Sequence, residues 1–194
     1  MLNPFLKPAV LLLLISLPLW FLYRMIALRK QEDVFHVRQE FYWFLLYAYF
    51  VCLAAFTIVP LRFTRYNNVH TRGLNLVPIK NTWHELSAIL AVHNDHMVGF
   101  AMQNIIGNIA LFIPLGILLP LSDRRNRRWL RAFLICLSIS VMIESIQWIS
   151  RQLGFYRSVD IDDVILNALG GLTGYLLFKT VSSLHSDRKK SNHV

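Results

Sequence analysis

Carboxylates and amides stand well inside three of this chain's apolar segments. Glu144 and Gln147 lie near the end of one segment, Asp160, Asp162, Asp163 and Asn167 open the next, and Gln103, Asn104 and Asn108 open a third. In hydrocarbon such groups cost several kcal/mol unless they face one another or water. Two chemistries suit a convergence of these residue types. One is polar recognition of a ligand; the other is general acid–base work by two carboxyls in unlike settings. For the second, Glu144 is the acid candidate and Asp160 or Asp163 its charged partner, with the order of roles left open by the sequence.

The elements that must bring these residues together are membrane helices. The chain has 194 residues, 55% of them hydrophobic, and its apolar runs are too long for the core of so small a soluble domain. Five stretches, near 9–28, 41–61, 98–121, 129–150 and 161–181, are long enough to cross about 30 Å of hydrocarbon at the helical rise. The first begins with AVLLLLISL, lacks a small-residue cleavage site and continues through Trp20, Phe21 and Tyr23 to Arg24. It is expected to be a retained anchor whose arginine snorkels to the interface. The expected fold is an all-α integral membrane protein. Its five transmembrane helices form a bundle, with a short interfacial amphipathic helix in the long outer loop. By organisation, 1–40 is an anchor helix and its following loop, 41–184 a helical membrane domain and 185–194 a basic disordered tail.

Lysine and arginine counts set an expected orientation, because cytoplasmic loops carry the positive excess. Lys7, Arg62, Arg65, Arg72, Lys80, Arg151 and Arg157 fall on one side. Arg29, Lys30, Arg38, Arg124, Arg125, Arg127, Arg128, Arg131, Arg188, Lys189 and Lys190 fall on the other, which is therefore expected to face the cytoplasm. That places the N-terminus outside and the C-terminus inside a bacterial plasma membrane. The net charge of +9 sits mostly in short loops beside hydrophobic segments, where topology and anionic lipid account for it, and no nucleic-acid module is present. Cys52 and Cys136 fall inside helices and read as packing residues.

With that topology every intramembrane polar residue falls in the outer leaflet. Asn104, Glu144 and Asn167 lie at similar depth, roughly 9 Å below the outer boundary by the helical rise. Asp163, Asn167, Gly170 and Gly174 recur at offsets of four, seven and eleven and share one helical stripe. Ser140, Glu144, Gln147 and Arg151 form another, and Asn104 and Asn108, four apart, open a third above Pro114, a position expected to bend its helix. The glycines and Ser140 read as helix-packing residues.

The loop from 62 to 97 contains RGLNLVPI and then Thr82-Trp83-His84-Glu85, which fits a capping box opening a short helix. Trp83, Leu86, Ile89 and Leu90 share one side of it, as expected of a segment lying in the interface. His93, Asp95 and His96 follow. A cluster of this kind at a helix end is a common accident, so neither a metal nor another cofactor is assigned. Arg72 offers planar, bidentate recognition of acids or lipid phosphates.

The strings RGLNLVPI, NIIGNIALFIPLGILLP and IESIQ, with RSVDIDDVILNALGGLTGYLLF after them, together resemble the VanZ-like family of bacterial membrane proteins over roughly residues 53–178. The resemblance marks Arg72, Asn75 and Pro78 in the loop, then Asn104, Gly107, Asn108, Pro114 and Gly116. It further marks Glu144 and Gln147, and finally Arg157, Asp160, Asp163, Asn167, Gly170 and Gly174. Ile79 stands where the family motif often has Phe. The family takes its name from a gene linked to low-level teicoplanin resistance, so the resemblance implies an envelope role of that kind.

Residues and resemblance together lead to an outward-facing polar pocket. It binds or acts on a cell-envelope lipid, a lipid-linked precursor or a lipoglycopeptide, with Arg72, Asn75, Asn104, Asn108, Gln147, Arg157 and Asn167 as ligand contacts. The alternative is a membrane enzyme modifying an envelope lipid or glycan through Glu144, Asp160 and Asp163. A transporter is disfavoured, because below Asn108 and Asn167 the helices read IALFIPLGILLP and ALGGLTGYLLF, almost wholly apolar.

Overall fold

The structure, a computed structural model, describes residues 3–31, 36–57, 74–80, 82–83, 86–87, 95–155 and 158–191. Five long helices account for most of them: α1 (Asn3–Gln31), α2 (Val37–Thr57), α3 (Asp95–Ser122), α4 (Trp129–Gln152) and α5 (Ile161–Ser191). Two short strands, β1 (Leu74–Asn75) and β2 (Val159–Asp160), and a 3-10 turn at Arg124–Arg127 complete the order. Each long helix contains a span apolar enough to cross a membrane: Ala9–Arg29, Val37–Thr57, Met102–Ser122, Trp129–Gln152 and Ile161–Leu184. The chain is thus a multi-pass, all-α membrane protein. Its spans fall within a few residues of the sequence expectation, since continuous hydrophobicity is the strongest signal a sequence carries.

Two compact units divide the chain, Met1–Arg65 and Tyr66–Val194. In the first, α1 and α2 pack as a hairpin. Trp20 stacks on Tyr47 with ring centroids 5.2 Å apart, and the Tyr47 hydroxyl lies 2.6 Å from Ser16 Oγ. Arg24, expected to snorkel, instead turns to α2: its guanidinium donates to both carboxylate oxygens of Glu40 and lies over the Trp43 ring. A bidentate acid within reach satisfies a guanidinium without any need to reach water.

The second unit is built on α3, α4 and α5, with α3 and α5 in the most extensive contact. A Cβ added at Gly170 would run into the Ile109 carbonyl, and one at Gly174 into that of Ile113. The two helices therefore run parallel with their backbones in direct contact, a close approach only glycine permits. Helix α4 returns antiparallel and packs chiefly against α5, bringing Cys136 against Gly171 and Ser140 beside Asn167. Large apolar side chains are left exposed along α3, α4 and α5, among them Ile106, Leu134, Met142, Trp148, Leu169 and Leu176. An outside this apolar suits lipid rather than water.

Local chemistry explains the element ends. Helix α4 stops at Gly154, whose φ of 88° and N–H bond to the Arg151 carbonyl form a glycine C-cap. Helix α5 starts at Asp160, whose Oδ1 accepts the backbone N–H of Asp162 at 2.9 Å as an N-cap. The segment 185–191, expected in a disordered tail, continues α5 to Ser191. Arg188, Lys189 and Lys190 are good helix formers, and cations suit the negative end of the helix dipole. Pro114 and Pro120 lie inside α3 without ending it.

Candidate functional site

Three structural elements meet at one end of the α3–α4–α5 unit. The β1 segment pairs in parallel with β2, Leu74 against Val159 and Asn75 against Asp160, tying the long loop to the start of α5. At this junction the Asn75 amide donates from Nδ2 to Asp160 Oδ1 at 2.8 Å. The backbone N–H of Asp160 donates to Glu144 Oε2, on α4, at 3.0 Å. Asn75, Glu144 and Asp160 are all buried, so each bond replaces water that the site excludes.

A second layer lies beside it. Asn108 on α3 donates from Nδ2 to Asp163 Oδ1 at 2.6 Å, one turn into α5. Deeper still, Asn167 donates from Nδ2 to Ser140 Oγ at 2.9 Å, a buried bridge between α5 and α4. Four of the sequence-derived residues, Asn75, Asn108, Asn167 and Asp160, thus make interhelical or loop-to-helix bonds: Asn75 to Asp160, Asp160 to Glu144, Asn108 to Asp163 and Asn167 to Ser140. Asn104 and Gln147 are half-buried and each engages a neighbour. Arg72 and Arg157 lie outside the described residues, as does His93.

The carboxylates are not equivalent. Asp160 Oδ1 is occupied twice, by the Asn75 amide and the Asp162 N–H, so this residue works chiefly as the joint of loop, α4 and α5. Glu144 and Asp160 also line a cavity of about 400 Å³ walled by Val141, Trp148, Ile149 and Val164. Trp148 and Ile149 continue from that wall onto the exposed apolar face of α4. The arrangement can hold a ligand with one polar end and one lipophilic end, the polar end meeting carboxylate oxygens. Asp163 belongs instead to the contact with α3.

Three residues named in the sequence have structural roles that their pattern did not reveal. Asp162, noted only as one acid of a run, places its carboxylate against the backbone N–H groups of Ile79 and Thr82. The helical segment that begins at Lys80 is therefore capped from α5, while Glu85, the other half of the expected capping box, lies outside the described residues. Ile79, second central residue of the Val77–Lys80 turn, has a φ of 67°, a left-handed conformation that β-branched residues strongly disfavour. The proline at 78 signals the turn but not its type. Arg151 is buried at the end of α4 on the stripe that carries Glu144, and it engages a neighbour, as a buried guanidinium must.

Comparison with known proteins identifies the family. The VanZ/LLP1 family profile matches residues 44–182, which take in α3, α4, both strands and most of α2 and α5. Protein VanZ of Enterococcus faecium is 31% identical over 127 residues, covering 66% of this chain. The match spans 65% of that relative's length. No solved structure matches the chain. The buried Asn75–Asp160–Glu144 junction and the glycine contacts of α3 with α5 all fall within the matched region, and the chain belongs to the VanZ/LLP1 family.

Proposed function

We propose that the cavity between α4 and the start of α5 is an outward-facing site for an amphiphilic molecule of the bacterial envelope, and that through it the protein acts in low-level teicoplanin resistance. The observation that carries this reading is the composition of the cavity. Two carboxylates, Glu144 and Asp160, stand at a wall of Val141, Trp148, Ile149 and Val164 that runs on to the lipid-facing side of the helix. A lipid-linked wall precursor, or a glycopeptide carrying an acyl tail as teicoplanin does, has both of the matching halves. The apolar half supplies affinity by burial, and the carboxylates select for cationic or hydroxyl-rich groups. The orientation that makes the site outward-facing rests on the distribution of Lys and Arg, which puts the N-terminus outside and the C-terminus in the cytoplasm.

The test is teicoplanin susceptibility of a sensitive host carrying the wild type, Glu144→Gln, Asp163→Asn or Arg72→Ala at equal membrane abundance. Loss of protection in Glu144→Gln supports the site. Undiminished protection in all three variants overturns it.

A membrane enzyme remains the second reading, because Glu144 and Asp160 share one cavity, as acid–base catalysis on an envelope lipid or glycan requires. Membrane lipids and wall precursors compared with and without the wild-type protein separate the two. A species that appears or vanishes favours catalysis; an unchanged inventory favours binding.

A further inference from the structure

Remote from the carboxylate cavity, the turn that joins α3 to α4 and the first turns of α4 border a larger cavity of about 670 Å³. Four arginines, Arg124, Arg125, Arg128 and Arg131, line one end, and Leu134 and Ile139 line the other. We propose that this cavity binds an anionic phospholipid, its phosphodiesters against the guanidiniums and an acyl chain along α4.

Depth is the first argument. The membrane span of α4 begins at Trp129, and this tryptophan is exposed, as it is where a helix crosses the headgroup layer. The guanidiniums flanking it stand at phosphate level, and Leu130 and Leu134, both exposed, stand below them among acyl chains.

Geometry along the helix is the second. Arg128, Arg131, Leu134, Ile135, Ser138 and Ile139 recur at three- and four-residue spacing, so one face of α4 runs from charge to hydrocarbon without a break. A free phosphate would use only the charged end. A phospholipid uses both, and four guanidiniums suit a headgroup with two phosphodiesters, each able to accept a bidentate fork.

Preorganisation is the third. The turn is pinned at three points: Asp123 accepts the Arg125 N–H at 2.8 Å, Asn126 Nδ2 donates to the Leu119 carbonyl at 3.3 Å, and the Tyr175 hydroxyl donates to the Arg127 carbonyl at 2.5 Å. Positive charge that served topology alone would not need a fixed backbone. A binding site benefits from one, because the ordering cost is met before the ligand arrives. Among the residues whose side chains are described, no carboxylate forms an ion pair with the four guanidiniums, and all four arginines are exposed.

The test is native mass spectrometry of the purified full chain in detergent, titrated with tetra-acyl diphosphatidylglycerol, phosphatidylcholine or inorganic pyrophosphate. Wild type is expected to retain the diphosphatidylglycerol selectively. Arg128→Gln/Arg131→Gln should retain it on the order of tenfold more weakly, and Arg128→Lys/Arg131→Lys, which keeps the charge and guards against misfolding, should still bind. Leu134→Trp fills the apolar end, leaves every arginine in place and should also weaken retention. Equal retention by Arg128→Gln/Arg131→Gln overturns the proposal, as does equal retention of phosphatidylcholine by wild type. Displacement of the lipid by pyrophosphate, or undiminished binding by Leu134→Trp, overturns the acyl groove in favour of a plain phosphate site.

Discussion

The carboxylate of Asp162 accepts the backbone N–H of Thr82 at 2.8 Å, eighty residues away in sequence. Its other oxygen takes the N–H of Ile79, the residue held at positive φ. One acid at the start of α5 thereby caps the loop helix and holds open a turn that an isoleucine would not adopt alone. Asp162→Ala is expected to destabilise by about 1 kcal/mol, the cost of losing a cap on two part-buried donors. Ile79→Gly removes the conformational strain and should stabilise by about 1 kcal/mol. Thermal unfolding in detergent checks both, and a lowered midpoint for Ile79→Gly would sink the strain argument.

Glycine positions on α3 and α5 make opposite predictions. At Gly170 and Gly174 an added methyl meets the Ile109 and Ile113 carbonyls, so alanine there must push two helices apart. Each substitution should cost about 1–3 kcal/mol, the range for overpacking. Gly107, also marked by the family motif, is exposed and has nothing within 4 Å of an added Cβ. Gly107→Ala should be neutral or stabilise slightly through helix propensity. The same unfolding measurement, run on the three variants, separates backbone contact from mere membership of a motif.

How far the sequence told this story follows from the range of each interaction. Helix number and span were legible because hydrophobicity is a property of consecutive residues. The convergence of Glu144 and Asp160 was legible because buried polar groups must find partners, whereas Asn75 was marked only by the family resemblance. What could not be read was which partner each would find. Asp162 and Asp163 are adjacent, yet one reaches back to the loop and the other to Asn108 on α3, a difference set by a helical turn of 100° per residue and by the β1–β2 pairing. The fate of Arg24 was hidden for the same reason: Glu40 comes within reach only after α1 and α2 fold back on each other.

Orientation is open to direct measurement, and the structure chooses the probes. Asn75, Asn126 and Asp160 look like loop positions in the sequence but are buried, so cysteines there would report accessibility rather than sidedness. Val77 and His36 are exposed. In a Cys52→Ser, Cys136→Ala background, Val77→Cys is expected to react with an impermeant thiol reagent in intact cells, and His36→Cys only after lysis. The reverse pattern would turn the carboxylate cavity toward the cytoplasm.

Glu144 allows its structural duty and its charge to be separated. Its Oε2 is the acceptor for the Asp160 N–H at 3.0 Å, and a glutamine carbonyl can accept the same bond. Glu144→Gln should therefore keep the midpoint of unfolding close to wild type while abolishing whatever the negative charge does in the cavity. Glu144→Ala removes the carboxylate that accepts the buried Asp160 N–H and should destabilise by about 1–3 kcal/mol. If the charge recognises a ligand, both variants lose teicoplanin protection although only one loses stability. If Glu144 serves only to anchor the start of α5, Glu144→Gln protects as well as wild type, and protection across the series follows unfolding temperature alone.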